Sequence, residues 1–245
     1  MLKHPLAVLS IAACVIAAPV SASVITLDPS ADAFVRGGSN ANNTQNGTAA
    51  QNLLVLPGND LSFARKTYIR FDLTTITGPV ADAELTLEFT FANTASGGLP
   101  INIYAINDGV AGEDNWSEAG LTWNNAPSNL TTGSTSQVAA GVIAAETTLI
   151  DSITPTGPEI AGGATYVIDT AALLSALQAD TNDAITFVIT GNAGSNSPVR
   201  PLIASRENPG GGGASLAVVI PEPASLSLLA AGSLWMATRR RKRSD

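Results

Sequence analysis

Tyr68, Arg70 and Asp72 stand two residues apart in the run Lys66-Thr67-Tyr68-Ile69-Arg70-Phe71-Asp72-Leu73. In an extended chain that spacing puts all three on one face. A tyrosine and an arginine on a flat face suit a polysaccharide. The ring stacks on the CH face of a sugar, and the guanidinium takes a uronate carboxylate in a forked contact. Asn102 and Tyr104, also two apart, extend such a strip if their strand lies nearby. The same face is compatible with an internal Arg70–Asp72 pairing or with plain solvation. Trp116 and Trp123 offer indole rings for sugar stacking; rings that pin a loop onto the body would look the same in sequence. Carboxylates supply the other chemistry. Asp28 and Asp32 lie near the first predicted strand and Glu207 near the last, so their oxygens converge if those strands are neighbours. Calcium takes about six to eight oxygens, and structural calcium is the cofactor these residues suggest. Asp108, Glu113 and Asp114 form a second acidic loop with the same potential.

Much other chemistry is excluded. His4 is the only histidine and Cys14 the only cysteine. Both fall in residues 1–22, where one lysine, an apolar run at 6–18 and the small residues Val20 and Ala22 have the layout of a secretory signal peptide cut after Ala22. Ile11-Ala12-Ala13-Cys14 also reads as a lipobox, the alternative. After the cut after Ala22 the protein has neither imidazole nor thiol. A Ser-His-Asp triad, a cysteine nucleophile, a His/Cys zinc site and an internal disulfide are then ruled out. Catalysis would fall to a carboxylate pair about 5–9.5 Å apart, or to Tyr68 or Tyr104 as the base of a lyase with Arg70 beside it. No paired motif stands out, and the expectation is a binding protein and not an enzyme.

Charge narrows the partners. The chain carries 12 basic and 20 acidic residues. Setting aside Lys3, the basic run at 239–243 and Asp245 leaves 6 basic and 19 acidic residues, a net of −13. Such a body repels nucleic-acid phosphates and attracts cations.

These residues need elements to hold them. Ile69, Phe71 and Leu73 alternate with Tyr68, Arg70 and Asp72. Leu85, Leu87 and Phe89 alternate with Glu84, Thr86 and Glu88; Ile101 and Ile103 with Asn102 and Tyr104; and Ile185, Phe187 and Ile189 with Thr186, Val188 and Thr190. Alternation at period two predicts strands with one buried face. Clusters of Gly, Asn, Pro and Ser at 37–40, 97–98, 191–194 and 209–213 punctuate them as turns. Leu173, Leu174 and Leu177 have helical spacing within 170–179. Residues 128–163 read as long loops with one or two edge strands and weaker strand signals at 138–145. The pattern predicts an all-β fold, a single jelly-roll-like β-sandwich at 23–220, flanked by the signal peptide at 1–22 and a hydrophobic sorting helix in the segment 221–245.

The C-terminal segment has three parts. Pro221-Glu222-Pro223 stops any strand or helix. An apolar run of about fifteen residues follows, short of the roughly twenty a transmembrane helix needs. Arg239, Arg240, Arg241, Lys242 and Arg243 close it and favour the cytoplasmic side. The layout suits a signal that pauses in the membrane and is then cut; a plain C-terminal anchor is the alternative. It resembles the PEP-CTERM sorting signal, whose tripeptide is recognised by an exosortase. That resemblance implies a Gram-negative bacterium making exopolysaccharide, transient inner-membrane anchoring, and delivery to the cell surface or extracellular matrix.

The body carries a second resemblance. Ala31-Asp32-Ala33-Phe34-Val35-Arg36, the run 65–73, Trp116-Ser117-Glu118, Leu121-Thr122-Trp123-Asn124-Asn125-Ala126-Pro127 and Ala204-Ser205-Arg206-Glu207-Asn208 together resemble the DNRLRE domain family, which is grouped with carbohydrate-binding modules. The resemblance spans residues 24–219 and implies a β-sandwich on secreted proteins that bind or degrade polysaccharide, with acidic, alginate-like glycans among the ligands. The expectation is therefore a secreted, exosortase-processed polysaccharide-binding protein. A structural matrix protein without a specific ligand is the second reading, and a polysaccharide lyase the third.

Overall fold

The computed structural model describes residues 22–44, 52–56, 61–91, 98–161, 163–192, 201–209 and 212–221. Ser23–Ile220 form one compact unit; Met1–Ala22 with Pro221–Asp245 form another, which but for Ala22 and Pro221 lies outside the described residues. The predicted signal peptide and sorting helix, with Glu222, Pro223, Arg239, Arg240 and Arg241, therefore lie outside them too. Ala22 is the exposed first residue of a strand, and Pro221 is the last residue of another.

The described strands are β1 (Ala22–Leu27), β2 (Pro29–Arg36), β3 (Asn52–Leu54), β4 (Arg65–Asp72), β5 (Asp82–Phe91) and β6 (Ile101–Ile106), followed by β7 (Thr147–Ile153), β8 (Thr165–Ile168), β9 (Ala184–Gly191), β10 (Leu202–Ala204) and β11 (Ser215–Pro221). The four runs predicted from alternation form β4, β5, β6 and β9. One sheet runs β1-β11-β5-β10-β3, with β8 also paired to β5; the second runs β2-β4-β9-β6-β7. The inner faces meet in one core. Leu53, Leu85, Leu87, Phe89, Ile203 and Leu216 come from the first sheet, and Ile69, Phe71, Ile101, Ile103, Phe187 and Ile189 from the second. Every one of these apolar residues sits at an inward position of its strand's alternation, which is the physical basis of the sandwich.

The helix predicted at 170–179 is α3 (Ala171–Ala179), preceded by α1 (Thr135–Ala140) and α2 (Gly157–Ala161). The Thr170 hydroxyl accepts a hydrogen bond from the Leu173 amide and caps α3, while Leu173 and Leu177 are buried against the core. Residues 138–145 differ from expectation: their first part is α1 and not a strand. The Gln137 side chain accepts from the Ser134 amide at 3.1 Å and starts the helix, and Val138 and Ala139 turn inward.

The connection from β6 to β7 builds a layer over the sandwich. It leaves the sandwich at Ile106, crosses the outer face of the second sheet, and returns at Thr147. Trp116, Leu121, Trp123, Ala126, Val138 and Ala139 from this excursion pack on Ala31, Ala33, Val35, Tyr68, Ile106 and Val188 of the sheet. The molecule thus has a second apolar core on the outside of the sandwich.

Candidate functional site

The polar side chains of β4 hold this outer layer in place. A layer of irregular chain has backbone carbonyls that no ladder satisfies, and each buried one needs a donor. Arg70 donates from Nη1 to the carbonyls of Asp114 (2.9 Å) and Trp116 (2.7 Å) and from Nε to the Ser30 hydroxyl (3.2 Å), and its guanidinium lies 5.4 Å from the Trp116 ring centre. Lys66, fully buried, donates to the Asn129 side-chain oxygen at 2.6 Å and to the Gly141 carbonyl, and sits 4.4 Å from the Trp123 ring centre. Burial pushes its ammonium down to about 7. Arg70 and Lys66 thereby fasten two separate stretches of the excursion.

This overturns part of the expected sugar platform. Tyr68, Trp116 and Trp123 are only 0, 7 and 3% exposed. Tyr68 meets Trp116 edge-on at 6.3 Å, and burial pushes its hydroxyl far up, so it offers neither a stacking face nor a base. The Trp116 indole N–H donates to Thr186 Oγ1 at 3.1 Å, and that hydroxyl donates to the Glu113 carbonyl. Arg70 is occupied with the loop backbone instead of pairing with Asp72, whose carboxylate accepts from the Thr74 amide and hydroxyl and is held below its ordinary range. The period-two reading of the faces was correct; the missing information was that a covering layer seals the polar face.

The strip survives at its other end. Through the register, Tyr68 lies opposite Val188 and Val188 opposite Tyr104, so all three share the outer face. Tyr104 lies beyond the cover and is half-buried. Its hydroxyl accepts from the Asn102 amide at 3.3 Å, and the Asn102 oxygen accepts from the Ser152 hydroxyl at 2.8 Å. Leu149, opposite Tyr104 on β7, is 49% exposed. An aromatic ring with amide and hydroxyl neighbours is the composition that contacts sugars.

The predicted cation site converges in part. Asp32 and Glu207 come together with Glu118, their ligand oxygens within 4.8 Å of one another; Asp28 is exposed and outside the cluster. Glu118 was missed, although it stands in the Trp116-Ser117-Glu118 motif. Arg206 occupies the group. Its Nε lies 3.0 Å from Glu118 Oε1 and 2.6 Å from Glu207 Oε1, its Nη1 donates to the Ser30 carbonyl at 2.6 Å, and its amide donates to Asp32 Oδ2 at 2.7 Å. The Asp32 amide donates to Glu118 Oε1 at 2.9 Å. Burial, with Glu207 and Glu118 adding repulsion, pushes the Asp32 carboxyl up to about 7. The donors are hard oxygens of the kind calcium prefers. A guanidinium already lies between Glu118 and Glu207, however, and three carboxylates fall short of about six to eight oxygens, so the group does not fit calcium while Arg206 is there. The carboxylates are also closer together than the pair of an ordinary glycosidase. The second acidic loop splits. Glu113 is buried and accepts from the Asn182 amide, and burial pushes its carboxyl up to about 7; Asp108 accepts from the Thr181 hydroxyl at 2.5 Å; Asp114 is exposed.

Beside Glu118 the excursion carries an open pocket of about 270 Å³ lined by Gly112, Asn115, Trp116, Ser117, Gly120, Leu121 and Asn125. Gly112 has φ +82°, a conformation that favours glycine. The Asn125 side chain accepts from the Thr122 amide at 2.7 Å and donates to the Gly120 carbonyl at 2.9 Å, fixing one wall.

Comparison with known proteins singles out the same region. No curated protein matches the chain. The family model described as carbohydrate-binding module family 96 matches residues 23–143, which run from β1 through β6 and the covering excursion as far as Ile143, and this match supports a carbohydrate-binding module.

Proposed function

We propose that the protein is an exported, non-catalytic polysaccharide-binding module that an exosortase processes at the cell surface or in the exopolysaccharide matrix. The observation that carries the binding reading is the family match over residues 23–143, because it includes the excursion that builds the outer layer. The export and processing reading rests on the segments 1–22 and 221–245, with Ala22 before the first cut and Pro221-Glu222-Pro223 as the recognition motif. The glycan lies on the open part of the second sheet, along Asn102, Tyr104, Ser152 and Leu149. A flat strip suits an extended chain. An acidic, alginate-like chain must approach a region of net charge −13, and the guanidinium groups of Arg70 and Arg206 are spent on the protein's own oxygens. An acidic ligand therefore needs a bridging divalent cation.

Affinity electrophoresis of the mature protein through gels containing soluble polysaccharides tests this. Retardation by at least one polysaccharide is expected, with Tyr104→Ala weakening it about tenfold, or ~1.4 kcal/mol. Unretarded migration through neutral and acidic polysaccharides alike, with and without calcium, would refute the binding reading. Val24 on β1 and Val167 on β8 are exposed on edge strands and favour the alternative, a self-associating matrix protein. Sedimentation of the glycan-free protein as oligomers would support that alternative.

A further inference from the structure

We infer that the open pocket formed by residues 112–125 binds one uncharged sugar unit of the glycan, an inference that rests on the carbohydrate-binding reading above. Its lining residues, Gly112, Asn115, Trp116, Ser117, Gly120, Leu121 and Asn125, include no ionisable side chain. Trp116 and Leu121 are buried and supply an apolar floor, and the indole N–H is spent on Thr186, so the ring offers only carbon to a ligand. Asn115 and Ser117 are exposed, and their side chains make no hydrogen bond with other described residues; the Ser117 carbonyl accepts from the Gly120 and Leu121 amides at 3.0 Å. An amide and a hydroxyl can each donate and accept, which matches the hydroxyls of a sugar. Asn125 fixes the wall before any ligand arrives, and a preformed site spares the ligand the cost of ordering it. The volume, about 270 Å³, lies just below the ~300–1,000 Å³ of pockets for drug-sized ligands, so it suits one ring of a chain that continues past the open side.

Charge decides the class of sugar. Glu113 and Asp114 precede Asn115, and Glu118 follows Ser117. Among the described residues, the guanidinium groups that contact this stretch are spent on the protein's own oxygens, Arg70 on the carbonyls of Asp114 and Trp116 and Arg206 on Glu118 and Glu207. A uronate carboxylate would meet carboxylates without a compensating cation, whereas a neutral ring loses nothing by entering.

Titration calorimetry of the mature protein separates the possibilities. The probes are neutral polysaccharides (a β-glucan, a galactomannan, a xyloglucan) and uronate polymers (alginate, polygalacturonate), each with calcium and with chelator. Binding of a neutral polymer in chelator is expected. Asn115→Ala and Ser117→Ala should each weaken it about three- to tenfold. Ser117→Phe, at an exposed position, should fill the pocket and abolish that binding with an unchanged thermal midpoint. If Ser117→Phe binds the neutral polymer like wild type, the pocket assignment fails while carbohydrate binding stands. Binding confined to uronates overturns the neutral class. Absence of binding to every probe overturns both this inference and the reading beneath it.

Discussion

Lys66 and Arg70 show how much one strand's polar face can do away from solvent. Each supplies donors to oxygens of the excursion. Lys66→Met keeps the stem but strands the Asn129 oxygen and the Gly141 carbonyl, both inside the outer layer. The expected loss is about 2–4 kcal/mol, read from urea unfolding. A variant as stable as wild type would show that these contacts contribute nothing. Trp116→Ala removes the ring at the centre of the second core and should cost about 3–5 kcal/mol in the same measurement. At this scale the sequence was ambiguous for a definite reason. Tyr68, Trp116 and Trp123 are amphipathic, and residue type alone does not say whether an indole stacks on a sugar or on a neighbouring strand. Tyr104 and Tyr68 have the same surroundings in sequence, an alternating strand, yet only one of them is covered.

Between elements, the cluster of Asp32, Glu118, Arg206 and Glu207 ties β2 to the excursion and to the turn after β10. Its protonation should be visible in stability. Asp32 and Glu113 are each raised to about 7 and Asp180 to about 6, all mainly by burial. Between roughly pH 4 and 7 the folded state therefore holds protons that the unfolded chain has released, and stability falls as pH rises. Lys66 acts in the opposite sense. Its folded pKa is lowered to about 7, so above that pH the unfolded chain binds the extra proton and stability rises with pH toward about 10.5. Thermal midpoints from circular dichroism should pass through a minimum near neutral pH, and Asp32→Asn should flatten the acidic limb. A maximum at neutral pH would contradict the argument. Arg206 gives a separate test. Millimolar calcium should leave the wild-type midpoint unchanged, because the guanidinium holds the carboxylates. In Arg206→Met the midpoint should drop, and calcium should restore part of the loss. A wild-type midpoint that climbs with calcium would instead make the cluster a calcium site.

For the whole molecule, trafficking has one decisive measurement. The mass of the mature protein from its native host should correspond to a chain that begins at Ser23 and lacks Arg239 to Arg243; an intact chain would end the export proposal. The sandwich itself was readable from sequence, because burial on one face of a strand enforces period two, and the runs at 66–73, 84–89, 101–104 and 185–190 keep that period but for Thr67 and Val188. Composition alone likewise removed imidazole and thiol from residues 23–220. What only the tertiary structure decided is which polar faces meet water. The residues that cover Tyr68 come from 116–139, far along the chain, and no local pattern encodes that they fold back across the second sheet. Glu118 reaches Asp32 and Arg206 through the same long-range return. Secondary structure follows from neighbours a few residues apart, whereas a binding surface depends on what the remainder of the chain leaves uncovered.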